Sequence, residues 1–300
     1  MLDSQEFPSR IVQEMETRAR PCVVPLMVSD LGEQTMHACA SGTLFQIADQ
    51  HFLVTAAHVF ERARDDFDGR LFTSDYRTAS PTVPLNECRV HHYTHAAIDV
   101  AVFELTDSVL SQIPNRIFLR LADVEFGPDV PTGRYYLYGW PCELTQEDKT
   151  EETVTLAPFS FVTQLHTAQV PRVRYYEPEI HVLLSTPTEA GGSVPLLGAQ
   201  MARPGSLSGI SGCSLWKACD SDTSAPTWTA NDARIVGVQC TAIGADHSII
   251  KGVRWSAVAA IIWHAYPDLH RPMMITQPEV AKDMNRLAAC IRATLLKDSS

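Results

Sequence analysis

Three hundred residues, 45% hydrophobic and 20% charged, hold enough apolar material for one large packed unit or two ordinary ones, the composition of a soluble globular protein. The formal net charge is −11 and the 24 Lys and Arg residues are scattered without a run, which argues against a nucleic-acid groove or a basic face for an anionic membrane. The start, "MLDSQEFPSRIVQEM", has neither a basic end nor an apolar core, so no secretory signal is read there, and the longest apolar run, "SAVAAIIWHA", is too short to span a bilayer.

Residues 3–20 carry a helical period through Phe7, Ile11 and Met15, with Arg18 less clearly on the stripe. From Cys22 the pattern changes to short runs bounded by Gly, Asp and Pro: "CVVPLMV", "GTLFQI", "HFLVTAA", "DVAVFEL". A second set follows in "GRYYLYGW", "TVTLAPFSFV", "EIHVLLS", "SLW" and "RIVGVQCTAI", with no long helix between, an all-β signature. Polar, Pro-containing stretches at 64–86 and 141–152 read as surface loops, and "KACDSDTSAPTWTANDAR" reads as a long hairpin loop. Helices return late, in "VRWSAVAAIIWHAY" and then over 278–297, where Val280, Met284, Leu287, Ile291 and Leu295 share one face and Pro278 stands near the start. No internal repeat or low-complexity tract is present. The eight cysteines are spread along the whole chain, which reads as free thiols in a reducing cytoplasm rather than as a disulfide framework.

One stretch asks for chemistry. "GISGCSLW" brackets Ser211 with Gly209 and Gly212, so the chain bends and leaves the hydroxyl open. Such turns are common, and so are a histidine after an apolar strand (His58 in "FLVTAAHVF") and an acid at a strand entrance (Asp99 in "HAAIDVAVFEL"). Together they supply what acyl transfer needs. A serine hydroxyl is a poor nucleophile until an imidazole accepts its proton, and a buried carboxylate holds that imidazole in the right tautomer. The alkoxide that forms needs fixed donors, and the amides of Gly209 and Ser211 are suitably spaced for such an oxyanion hole.

On these residues the chain resembles the trypsin/chymotrypsin-like serine peptidases, whose triad runs in the order His, Asp, Ser. "TAAHV" matches the family's histidine motif, "IDVAVFEL" its aspartate motif and "GISG" its Gly-x-Ser-Gly motif, while "ASGTLF" and "RIVGVQC" sit where the family has strands. The likeness covers roughly residues 25–270. It implies an all-β fold of two packed six-stranded antiparallel β-barrels with the site in the cleft between them; of the helical additions read at both termini, the N-terminal segment and the terminal helix lie outside the resemblance. The expected division is an N-terminal helical extension over 1–24, a first barrel over 25–128, a second over 129–254 and C-terminal helices over 255–300. It further implies a serine endopeptidase in which Ser211 attacks, His58 is general base and then acid, and Asp99 orients His58. The substrate is a protein or peptide; no cofactor and no metal are expected, nor nucleic acid or membrane as partners. The family's pocket floor falls near Gly205, where no acid stands, and the pocket edge near Cys240, Thr241 and Ala242.

Departures from the family pattern matter too. Ile210 stands before the nucleophile, where secreted relatives usually carry an Asp that pairs with a new N-terminus. No cysteine follows His58 before Cys88, so the flanking disulfide is missing and the chain looks more like bacterial intracellular members. A glycine-rich loop without the ion pair motivates a further expectation, regulation by a protein partner docking on the terminal helix or the N-terminal segment. Ser208 is the rival nucleophile. An α/β-hydrolase is disfavoured because residues 209–213 end in Cys213 rather than Gly. "CRVHHYTH", with Cys88, His91, His92 and His95, has no standard zinc spacing and reads as a solvated loop. Cys213 reads as a small apolar residue. The alternative from another class is a catalytically silent pseudo-peptidase that keeps the barrels as a binding module.

Overall fold

The apolar runs of the sequence are those of strands covered on both faces rather than of half-exposed ones. The structure is a computed structural model that describes residues 6–29, 36–74, 82–95, 98–127, 129–148, 153–167, 176–186, 207–221, 227–243 and 248–297. After α1 (Glu6–Ala19) come β1 (Val23–Ser29), β2 (Met36–Ile47), β3 (Gln50–Thr55), α2 (Ala57–Asp66), β4 (Leu71–Thr73), β5 (Val83–Pro84), β6 (Arg89–His95), β7 (Ile98–Glu104) and α3 (Asp107–Gln112). The second set is β8 (Arg134–Gly139), β9 (Thr145–Asp148), β10 (Thr153–Leu156), β11 (Phe159–Thr163), β12 (His181–Ser185), β13 (Ser214–Cys219), β14 (Arg234–Ile243) and β15 (Ile249–Arg254). Then follow α4 (Trp255–Ala265), α5 (His270–Thr276) and α6 (Pro278–Lys297).

Two antiparallel sheets form, in the orders β5-β4-β1-β2-β3-β7-β6 and β11-β8-β13-β14-β15-β12, and each curls into a half-barrel. The all-β, two-barrel architecture expected from the sequence is the one observed. The first sheet has seven strands because the two-residue β5 pairs onto β4. Strand alternation divides three cores. In β3 and β7, Leu53, Ala101 and Phe103 face the interior of the first half-barrel, while Phe52, Val54, Val100 and Val102 face a core shared between the sheets. In β8, Tyr135 and Leu137 face the second interior, and Tyr136 and Tyr138 the shared core.

The segment joining the sheets is pinned to both. Gln46 N–H donates to Leu119 O at 2.7 Å on the first sheet, and Glu125 N–H donates to Ile235 O at 2.9 Å on the second. The shared core is closed by helices: Ile11 and Met15 of α1, Trp255 and Ile262 of α4, and Met284 of α6 are each fully buried there. Along the stripe expected for α6, Met284, Leu287 and Ile291 are buried and Val280 is partly buried, while the Leu295 side chain lies outside the description.

Three stretches read as loops carry structure. Within 64–86, α2 runs on to Asp66 and β4 and β5 follow, because Leu71, Val83 and Leu85 are apolar enough to be buried in the first half-barrel. "CRVHHYTH" is mostly β6, bonded along its length to β7 from Arg89↔Glu104 to His95↔Ile98, rather than a solvated loop. Its histidines are tolerated because β6 is an edge strand. Residues 145–148 within 141–152 form β9, and the expected helix starting at Val253 begins instead at Trp255, after β15.

Met284 is 0% exposed where α6 lies on the shared core. Met284→Ala should cost about 2–5 kcal/mol, read as a lower urea midpoint at unchanged slope. The exposed Lys282→Ala, on the same helix, should change stability by no more than about 0.5 kcal/mol.

Candidate active site

β3 and β7 are antiparallel neighbours with Thr55 opposite Ala101. The chain leaving β3 at Thr55 and the chain entering β7 before Ala101 therefore meet at one end of the sheet, which brings together His58 and Asp99, 41 residues apart. Ala56 caps α2 but has no side-chain acceptor for the free amides of the first turn. Asp99 supplies one: its Oδ1 accepts from His58 N–H at 2.9 Å and its Oδ2 bonds the Nδ1 of the same residue at 2.7 Å. One carboxylate thus fixes both backbone and ring, and leaves Nε2 on the far side of the imidazole. Burial, the largest single influence, pulls the His58 pKa down, but the Asp99 bond and charge, with Glu61, outweigh it and raise the pKa above 6.5.

The loop bearing Ser211 is held peptide by peptide. Cys142 N–H donates to Ser208 O at 2.8 Å, and Cys213 N–H donates to Ile210 O at 2.9 Å. In a trans peptide the N–H points opposite to the C=O, so these bonds turn the amides of Gly209 and Ser211 the other way. Among the described residues, neither of those two amides donates to a protein acceptor. The remaining carbonyls are taken by the first sheet. Ser41 Oγ donates to Gly209 O at 3.0 Å, Ser41 N–H to Ser211 O at 2.8 Å and Thr43 Oγ1 to Gly212 O at 3.2 Å. Gly212 N–H donates to Gln239 O of β14 at 2.8 Å.

Both glycines of the motif are required. Gly209 has φ +95°, and a Cβ there would lie 2.5 Å from Cys142 N. Gly212 has φ +87°, and a Cβ would lie 2.1 Å from Ser41 O and 2.2 Å from Thr55 Oγ1. Between them Ile210, 0% exposed, plugs the second half-barrel core beside Leu207 and Leu215. Cys213 is buried in the same core, which pushes its thiol pKa well up, so it behaves as the small apolar residue expected.

His58, Asp99, Ser211, Cys240, Thr241 and Ala242 line one cleft of about 370 Å³. The structure thus brings six of the expected site residues onto one cleft, with Leu207, Ser208 and Gln239 added to its wall. Ser208 is exposed, with its Oγ 4.0 Å from Cys142 Sγ. Gly205 lies outside the described residues. A cavity of about 420 Å³ between α6 and the second sheet is lined by ion pairs, Arg254 with Asp129 and Arg286 with Glu179. Among the described residues no group of three or more His, Cys, Asp and Glu is placed to hold a metal ion. Reading the sequence missed the buried hydroxyls of Ser41, Thr43 and Thr55. Nothing in a local pattern distinguishes them from ordinary strand residues, although Ser41 and Thr43 stand in the quoted "ASGTLF".

No family model matches the chain, and no curated protein matches it. Its structure is similar to those of several proteases. A serine endoprotease from Yersinia pestis matches over 84% of this chain and 65% of its own, at 14% identity and a TM-score of 0.47. A thermostable serine protease from an extremophilic microorganism matches over 82% and 96%, at 12% identity and a TM-score of 0.45. The tobacco vein mottling virus protease matches over 79% and 78%, at 12% identity and a TM-score of 0.41.

Two measurements check this geometry without reference to activity. Gly212→Ala forces a Cβ into backbone and side chain at positive φ, and should cost more than about 3 kcal/mol or prevent folding. An NMR titration should place His58 above the ordinary value of about 6.5, and Asp99→Asn should bring it down. Because the folded pKa is raised, the pair's contribution to stability is fully present below the unfolded value and is lost as pH rises through the folded one.

Proposed function

We propose that the chain is a serine endopeptidase acting on a protein or peptide through a His58–Asp99–Ser211 triad and an acyl-enzyme. The observation that carries this reading is the joint placement of an Asp99-bonded His58 and of Ser211 on one cleft, with the Ser211 loop fixed at every peptide unit from 208 to 213. In the first step the Ser211 Oγ attacks the scissile carbonyl carbon while His58 Nε2 takes its proton. Asp99 holds Nδ1–H and stabilises the imidazolium. The carbonyl oxygen gains charge and is met by the amides of Gly209 and Ser211, which among the described residues donate to no protein acceptor and whose direction is set before substrate arrives. His58 then gives the proton to the leaving amine, and water repeats the sequence on the acyl ester.

Cys240, Thr241 and Ala242 form the wall along which the substrate lies. Their thiol, hydroxyl and methyl groups carry no charge of their own, which favours recognition by backbone and shape over ion pairing. A bonded loop with Ile210 as its plug favours activity in the isolated chain over dependence on a regulatory partner, and the experiment below also reports on that.

Fluorophosphonate labelling tests the reading, because it requires an activated serine and not merely the fold. Ser211→Ala should abolish labelling with folding intact, and Ser208→Ala should not. Asp99→Asn should slow labelling by roughly 10⁴-fold, the scale of a misoriented imidazole. The rate should rise with pH through the raised His58 value, since only the neutral ring accepts a proton. A folded wild-type chain that takes no label would identify a silent binding module instead.

A further inference from the structure

Resting on that reading, we propose that Ser41 is a positioning residue for the oxyanion amides, acting from the first sheet through the carbonyl of Gly209. Ser41 is 0% exposed, and its side chain makes two bonds that constrain each other. Its Oγ accepts from Trp140 N–H at 2.9 Å and donates to Gly209 O at 3.0 Å. A hydroxyl has one proton, so filling a lone pair from Trp140 directs that proton to Gly209. Its main chain works in the same sense: N–H donates to Ser211 O at 2.8 Å, and its C=O accepts from Thr55 Oγ1 at 2.8 Å. Pro25, which faces Ser41 across β1 and β2, has no N–H to offer that carbonyl.

The bonded peptide is the one between the two that matter. Gly209 N–H belongs to the 208–209 unit and Ser211 N–H to the 210–211 unit, and Ser41 Oγ grips the 209–210 unit that joins them. The N–H of the same unit donates to Leu207 O at 3.3 Å, a longer bond than the one from Ser41 at 3.0 Å, and Gly209 at φ +95° has no Cβ to limit rotation beside it, so the Ser41 bond is the shorter of the two that resist a flip there. The hydroxyl also ties both halves of the anchor together. Trp140 precedes Pro141 and Cys142, and Cys142 N–H holds Ser208 O. Gly139 packs against it, since a Cβ there would lie 3.1 Å from Ser41 Oγ. Removing the hydroxyl leaves a buried donor on Trp140 and a buried acceptor on Gly209 that lose this bond together, and rotation about Gly209 is the available relief. The amides would then no longer meet where charge develops, while His58, Asp99 and Ser211 would be chemically untouched.

The test measures the fluorophosphonate labelling rate of Ser41→Ala against pH, beside its unfolding midpoint. The expected result is a rate about 10- to 100-fold lower across the profile, with the pH midpoint of His58 unmoved and the protein still folded. Ser41→Cys, which keeps a weaker donor, should fall between the two. Wild-type rates in either variant, or a pH midpoint that moves with the rate, would overturn the proposal. If Ser41→Ala does not fold, Ser41→Cys decides. If the wild-type chain takes no label, the peptidase reading fails, and the Ile210 amide resonance then judges the positioning separately: unchanged in the variant, it overturns the role given to Ser41.

Discussion

The close approach of Gly212 to the first sheet is the constraint from which the site follows. The pairing of β3 with β2 ends at Val54 opposite Thr43, and the chain then turns into α2, which leaves the N–H of Ser41 on β2 to the second half-barrel. The second half-barrel fills that side of β2 with the backbone of residues 209–212, which only a residue without Cβ at 212 permits. Since β3 also delivers His58 as it departs, the same turn of the chain puts His58 and Ser211 on one cleft. The cleft is the gap that remains between a strand that turned away and a loop that moved in.

Cohesion and geometry come from different forces here. The shared core of Phe45, Phe52, Tyr136, Tyr138, Trp216, Trp255 and the helical residues above them holds the sheets together by burial, which is strong but not directional. The seam of Ser41, Thr43 and Thr55 is directional, and each bond adds only about 1 kcal/mol net. Its weight lies in the penalty of leaving a buried carbonyl unmet, about 1–3 kcal/mol for each. That penalty selects one arrangement of residues 208–213 among the many that glycines allow.

Much of this was legible in the sequence, and the boundary of legibility is physical. Runs such as "HFLVTAA" and "RYYLYG" announce strands because both faces are buried, and the His, Asp and Ser motifs stand out because a histidine, an acid and a glycine-bracketed serine interrupt or end apolar runs. β6 was hidden because an edge strand tolerates "RVHHYTH", and β4 and β5 because three or two residues make no period. The first half of β2, "MHACAS", was hidden by small and polar residues and by a bulge, where Leu26 faces Ala40 and Met27 faces Ala38. The seam was out of reach for a different reason. The bond from Ser41 to Gly209 spans 168 residues, and its partner is a carbonyl, which every residue has. A side chain that binds backbone leaves no complementary signal at the other end.

The Ile210 departure has a consequence for what the site responds to. An Asp at this position, paired with a cation, would make a lock of charges, and such a lock titrates. Here the lock is an apolar side chain buried in the second core together with backbone and hydroxyl bonds, none of which changes charge near neutrality. The thiols around the loop do not titrate there either: burial pushes Cys240 to about 12 and raises both Cys142 and Cys213. Among the described residues that line the cleft, His58, lifted by Asp99 and Glu61, is the group whose ordinary value lies near neutrality. On the proposed reading, the protonation state of one imidazole would govern the chemistry, while the bonds around Ser211 carry no group that titrates with it.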